Sequence, residues 1–251
     1  MSAATAVRRE QLVLRLPAKR SAFTLRPYQT EAVEAILAAQ ARGVRRQLIV
    51  LPTGAGKTEI FTQVIHRLGL RTLVLAHRDE LIQQAVEKVW RRAPVGASVG
   101  VIKAERNETD GLILVGSIQT LAKEKRLRQL PDDIGLIVVD ECHHAMSASY
   151  RRVLGHLGCL GQEGPLLLGF TATPDRTDGQ RIGGTVFDEL VYARSILELM
   201  EEGYLCDVEA RSVHIEADLG AVRSRHGDLD AGELGRVLLH ANAPARILEA
   251  Y

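Results

Sequence analysis

The segment Leu51-Pro52-Thr53-Gly54-Ala55-Gly56-Lys57-Thr58 limits what this chain can fold into more than any other stretch. An apolar run, Gln47 to Leu51, leads into it, and Ile60, Phe61, Val64, Ile65 and Leu68 follow at helical spacing. A strand that passes through a glycine-bearing turn into a helix makes a cradle for phosphate. Gly54 and Gly56 let the backbone amides turn inward, Thr53 and Ala55 complete the loop, and the helix adds the positive end of its dipole. Lys57 then suits the β- and γ-phosphates and Thr58 a magnesium ion. Leu51 stands where such loops usually begin with glycine. A glycine-rich turn without ligand is the plain alternative, and the Gly-Lys-Thr ending after a strand and before a helix favours phosphate.

The rest of the chain fits that start. Short aliphatic or β-branched runs predict strands at Gln47 to Leu51, Thr72 to Ala76, Ser98 to Ile102, Leu112 to Val115, Leu136 to Val139 and Leu166 to Gly169. Amphipathic stretches lie between them, including Leu81, Ile82, Ala85, Val86, Val89 and Trp90 as a core-facing stripe. Pro27 opens a further helix, with Ala32, Val33, Ile36 and Leu37 on its buried side. This alternation predicts an α/β fold with a mostly parallel sheet and helices on both faces. In such sheets the loops at the carboxyl ends of the strands gather on one edge, where ligands bind. Beyond Thr185 a helix around Ile196 to Met200, a strand over Val208 to Ile215 and a helix from Leu234 to Tyr251 are expected.

One of those loops carries paired acids. The apolar Ile137, Val138 and Val139 lead to Asp140-Glu141-Cys142-His143. On a phosphate-binding sheet edge, Asp140 suits a magnesium ion held through water, and Glu141 suits orienting and deprotonating an attacking water. By itself an Asp-Glu pair also suits a solvated strand end.

Taken together, Pro-Thr-Gly-Ala-Gly-Lys-Thr and Asp-Glu-Cys-His resemble motifs I and II of the DEAD/DEAH-type helicases of superfamily 2. Further matches follow the family's order: Leu25-Arg26-Pro27-Tyr28-Gln29, Ala76-His77-Arg78-Asp79-Glu80-Leu81, Gly116-Ser117-Ile118-Gln119-Thr120-Leu121 and Thr171-Ala172-Thr173-Pro174. The run from Thr171 to Gly179, Gly203-Tyr204-Leu205, and His226-Gly227-Asp228-Leu229-Asp230 are similar to a bacterial branch that includes RadD-like and XPB-like DNA repair helicases. The resemblance implies the first RecA-like lobe of a P-loop NTPase using ATP and Mg²⁺. It makes Gln29 an adenine reader with Arg26 beside it. His143 and Thr171, Ala172 and Thr173 would couple ATP to nucleic acid and to an opposite lobe. Arg78, Ser117, Gln119 and Thr120 would touch a nucleic-acid backbone without reading bases. For His143, a polar residue following a strand is an equally good reading.

The implied layout is an N-terminal extension over 1–22, an ATP-binding domain over 23–193 and, over 194–251, a connector toward a second RecA-like domain. No Gln-x-x-Gly-Arg-x-x-Arg run of an arginine-finger lobe occurs. The charge-neutralising arginine is therefore expected from a second lobe or another chain, and this lobe alone should turn ATP over poorly. DNA is the expected nucleic acid. A nucleotide- or nucleic-acid-binding module without its own motor activity, and the motor lobe of a restriction-type translocase, are the alternatives.

Composition adds exclusions. A net charge of +1 in 251 residues argues against a single large basic field for nucleic acid. Cys142, Cys159 and Cys206 are odd in number and widely spaced, which fits a reducing cytoplasm better than a disulfide framework. His143-His144 lacks a third ligand at zinc spacing. No apolar run reaches membrane-spanning length, so no membrane partner is expected.

Overall fold

The computed structural model describes residues 24–76, 79–92, 97–161, 163–173, 186–209, 212–225 and 228–250. The chain forms two compact units, one ending at Leu205 and the other beginning at Cys206. In the first, helix α1 (Pro27–Ala41) precedes β1 (Arg46–Val50), α2 (Lys57–Leu68), β2 (Thr72–Ala76) and α3 (Asp79–Arg92). Then come β3 (Val99–Lys103), β4 (Arg106–Asn107), β5 (Ile113–Ser117), α4 (Ile118–Leu121), α5 (Glu124–Leu127) and β6 (Leu136–Asp140). A short 3₁₀ turn (Cys142–His144), α6 (Ala148–His156), β7 (Leu166–Thr171), β8 (Glu189–Ala193) and α7 (Ile196–Glu201) complete it.

The eight strands form one sheet in the order β4-β3-β5-β2-β6-β7-β1-β8. Every neighbouring pair is parallel except β3 with β4. Alternation along each strand divides the core. Ile49, Val74, Val138, Leu168 and Phe170 face Ile36 of α1, Phe61 and Ile65 of α2 and Val86 of α3. Leu48, Val50, Leu73, Ile137, Val139 and Leu167 face Ile118 and Leu121 of α4 and Tyr150, Val153 and Leu154 of α6. A period of two with both sets apolar is what a strand covered on both sides requires, so the α/β layout and two-sided helical cover are as expected.

The strand limits shift by one residue in places, and β5 and β7 run on to Ser117 and Thr171, each two residues beyond the expected end. β4 and β8 were not legible as strands. β4 is only two residues long, and β8 is a half-exposed edge strand without a strong apolar signature. Trp90 is half-buried, whereas Ile82, Val86 and Val89 form the buried stripe of α3.

The second unit holds β9 (Ser224–Arg225), β10 (Asp228–Leu229), α8 (Ala231–His240) and α9 (Ala243–Ala250). Here two expectations are corrected. The described residues of the Val208 to Ile215 stretch form no strand. The C-terminal helix is two helices, because Asn242 adopts the left-handed region at φ +54°, a conformation that asparagine tolerates and that ends α8. Asp230 caps α8 by accepting from Gly232 and Glu233 backbone amides at 3.1 Å each.

Glycine 169, on β7, is required by packing. A Cβ there would lie 2.2 Å from Cζ of the buried Phe187 and 3.0 Å from Cys142 Sγ. Gly169→Ala should therefore lower stability by about 1–3 kcal/mol, the usual cost of overpacking a filled core, seen as a lower urea midpoint with an unchanged slope. An unchanged or raised midpoint would contradict this account of the β7 face.

Candidate nucleotide site

The strand order decides which loops meet. β7 lies between β1, which feeds the phosphate loop, and β6, which ends in the acidic pair. All three are parallel, so the ends of β1, β6 and β7 share the carboxyl edge.

At the end of β1 the Leu51 amide donates to the Thr171 carbonyl at 2.9 Å, extending the pairing with β7 by one residue. Leu51 is fully buried, which accounts for an apolar residue where glycine is usual. Gly54 and Gly56 then take φ values of +85° and +75°, in the left-handed region. Gly56 is constrained twice, since a Cβ would also fall 2.4 Å from Gln29 Nε2 and 2.9 Å from Glu59 Oε2. Helix α2 starts at once with Lys57 and Thr58, so its first unpaired amides open toward the loop.

The start of α1 clamps this loop from behind. Tyr28 Oη donates to the Ala55 carbonyl at 2.7 Å, and Gln29 Nε2 donates to the same carbonyl at 3.0 Å. Gln29 Oε1 accepts from the Arg26 backbone amide at 2.9 Å. Only 3% of Gln29 is exposed, and both ends of its amide are engaged within the protein. Arg26, by contrast, is an exposed side chain. The clamp by Tyr28 was missed at the sequence level; its signal was a phenol inside the Arg-Pro-Tyr-Gln run.

The acidic pair is aimed by an unusual backbone. Glu141 sits at φ +53°, ψ +51°, a left-handed conformation that costs a non-glycine residue about 1–2 kcal/mol. Its amide donates to Asp140 Oδ1 at 3.1 Å. The turn brings Glu141 Oε1 to 3.6 Å from Lys57 Nζ and Glu141 Oε2 to 3.4 Å from His143 Nδ1. Lys57, with 11% of its side chain exposed, also reaches the Leu51 carbonyl at 3.4 Å.

His143 extends the chain of contacts to β7. Its Nδ1 lies 3.4 Å from Thr171 Oγ1. That hydroxyl gives its proton to the Thr173 carbonyl at 3.0 Å and accepts from the Thr173 amide at 3.1 Å. Nδ1 thus stands between a Glu141 carboxylate oxygen and the Thr171 hydroxyl oxygen, both at 3.4 Å. Behind the acids, burial pushes the Cys142 thiol well above the ordinary range, reinforced by the Glu141 and Asp140 carboxylates, so it is a neutral packing residue.

The structure thus brings together Lys57, Thr58, Asp140, Glu141, His143 and Thr171, with Ala172 and Thr173 continuing from β7. Of the residues expected at nucleic acid, Gln119 is exposed. Ser117 and Thr120 are buried: Ser117 Oγ caps α4 by accepting from the Thr120 amide at 3.5 Å, and Thr120 Oγ1 accepts from the Ala104 amide at 3.1 Å. Their side chains serve the local fold, at the end of β5 on the same edge. Arg78 lies outside the described residues.

The family model for the type III restriction enzyme, res subunit, matches residues 22–176. The chain is 33% identical over 92% of its length to the putative ATP-dependent helicase IRC3 of Saccharomyces cerevisiae, covering 35% of that protein. It is 29% identical over 80% of its length to the DNA 3'-5' translocase XPB2 of Sulfurisphaera tokodaii, covering 43% of it. Among solved structures, the helicase domain of Pyrococcus furiosus Hef superimposes with a TM-score of 0.52 at 25% identity, over 65% of this chain and 37% of that one. The chain therefore spans about a third to two fifths of the length of these curated relatives. A glycine-bearing strand-to-helix loop, an acidic pair and the buried Thr171 on one edge of a RecA-like sheet, together with a family match across most of that sheet, place this chain in the type III restriction enzyme res-subunit family of superfamily 2, as its first, ATP-binding lobe.

Proposed function

We propose that the chain is the ATP-binding lobe of an ATP-dependent helicase or translocase that acts on DNA and contacts its backbone. The observation that carries this is the linked row Lys57, Glu141, His143 and Thr171, which joins the phosphate loop to the end of β7 through contacts of 3.4–3.6 Å. In this reading Lys57 and the amides of the Gly54 to Thr58 loop bind the β- and γ-phosphates. Glu141 orients and deprotonates the attacking water, and its separation from Lys57 leaves both groups close enough to act on one phosphoryl group.

The donors present fit Mg²⁺. The Thr58 hydroxyl and the Asp140 carboxylate are hard oxygen ligands, and among the described residues no cluster of three or more histidines, cysteines or carboxylates forms an all-protein cage. That suits an ion that keeps waters and shares phosphate oxygens. When bound, Mg²⁺ would neutralise charge on the phosphates. Thr58 and Asp140 would hold it, Asp140 through water.

The Nδ1 atom of His143 faces both Glu141 and Thr171, at 3.4 Å from each. A change at the γ-phosphate that moves Glu141 therefore alters what holds Thr171-Ala172-Thr173, which is how coupling to nucleic acid and to a second RecA-like lobe would start. That lobe, in the same or another chain, supplies the charge-neutralising arginine, and the isolated lobe hydrolyses ATP weakly. The match to a DNA 3'-5' translocase supports DNA as the nucleic acid, and repair is the setting that the sequence resemblance suggests. The family description favours a second reading, the motor of a restriction-type translocase, which a nuclease domain in the same reading frame would identify. Three free cysteines support a reducing cytoplasm, and no described helix is long and apolar enough to cross a membrane.

Two substitutions separate binding from chemistry. Lys57→Ala should abolish Mg-ATP binding in a fluorescence titration, and unchanged affinity would remove the phosphate-loop assignment. Glu141→Gln in the complete gene product should leave ATP binding intact while lowering DNA-stimulated turnover by about 10²- to 10⁴-fold. Turnover near that of the unaltered protein would remove Glu141 as the base.

A further inference from the structure

Tyr204 arrives at the nucleotide site from the far end of the first unit, 178 residues after Arg26. Its placement is built into the end of α7. Gly203 takes φ +74°, and the amides of Tyr204 and Leu205 both donate to the Leu199 carbonyl, at 2.8 and 3.0 Å. Leu199 is fully buried in the core beside α1. This glycine-mediated helix end fixes the backbone of Tyr204.

From there Tyr204 meets the start of α1. Arg26 Nη1 donates to the Tyr204 carbonyl at 3.0 Å, and Arg26 Cζ stands 5.6 Å from the centroid of the Tyr204 ring. The same phenol ring is tilted against Tyr28, at 4.8 Å between centroids. Leu205 continues over the phosphate loop, where a Cβ on Gly54 would lie 3.4 Å from Leu205 Cδ2. Arg26 is thus an exposed cation gripped by a fixed carbonyl and a fixed ring, next to the clamp that Tyr28 and Gln29 make on Ala55.

We propose that Tyr204 is a positioning residue of the base subsite: it holds the Arg26 guanidinium in place so that the cation can stack on the base of a bound nucleoside triphosphate. The inference rests on the phosphate-loop reading above. A free arginine side chain samples many rotamers, and holding one of them removes an ordering cost from binding. Joining α1 to the end of β8 and α7 does not depend on Tyr204. Glu31 of α1 already accepts from Tyr192 Oη at 2.9 Å and from Arg194 at 3.1 Å, and Arg194 reaches Glu202 at 2.9 Å. A Tyr204 variant should therefore keep its fold.

The test compares Mg-ATP with magnesium tripolyphosphate, which has the phosphates and no base, by calorimetric titration of the whole chain. Tyr204→Leu should weaken ATP about tenfold and leave tripolyphosphate unchanged. Tyr204→Phe, which keeps the ring and the carbonyl, should restore ATP affinity. In an Arg26→Ala background, Tyr204→Leu should cost nothing more. Undiminished ATP affinity in Tyr204→Leu, equal losses for both ligands, or a further loss in the Arg26→Ala background would each overturn the proposal. An unaltered chain that binds neither ligand would bring down the phosphate-loop reading itself. One that binds both equally well would overturn the base-positioning role alone.

Discussion

Thr171 stands at the end of the strand between the phosphate-loop strand and the acidic strand, and it is bonded toward both. Its carbonyl accepts from Leu51 on the β1 side, while its hydroxyl faces His143 on the β6 side. Thr171 itself is fully buried, where misalignment of its polar groups is costly. The distance between Lys57 and Glu141 follows from this arrangement. Two loops 84 residues apart in sequence meet because one parallel strand separates their own strands and is tied to each of them.

Around that joint, the backbone leaves ordinary regions where chemistry is expected. Gly54 and Gly56 turn left-handed in the phosphate loop, and Glu141 does so with a full side chain. For the glycines the conformation is cheap. For Glu141 it is a local cost that the surrounding contacts to Asp140, Lys57 and His143 must offset, and such residues tend to persist where position matters more than stability. The clamp of Tyr28 and Gln29 on one carbonyl has the opposite character. It adds two hydrogen bonds to hold the Ala55 turn in a single shape, so the loop is arranged before any ligand arrives.

Much of this was legible in the residues. Strands such as Leu136 to Val139 announce themselves because both faces are buried, and the loop from Leu51 to Thr58 carries its chemistry in consecutive letters. What was not legible depends on partners distant in sequence. β8 earns its place by pairing beside β1 and has little apolar signal of its own. Ser117 and Thr120 looked like surface hydroxyls and turned out to cap and anchor buried backbone. Gly203-Tyr204-Leu205 stood out in the sequence only as part of the family resemblance, and only the return of α7 to the start of α1 reveals the contact of Tyr204 with Arg26. The break at Asn242 was hidden because helical periodicity continues on both sides of it.

The claim that a nucleoside triphosphate binds at the carboxyl edge of β1, β6 and β7 is tested most directly by amide hydrogen exchange, with and without Mg²⁺ and a non-hydrolysable ATP analogue. The arrangement predicts that protection rises in the loop from Gly54 to Thr58, at Glu141 to His143 and around Tyr28 and Gln29. Protection confined to other surfaces, or none at any segment under saturating ligand, would contradict it.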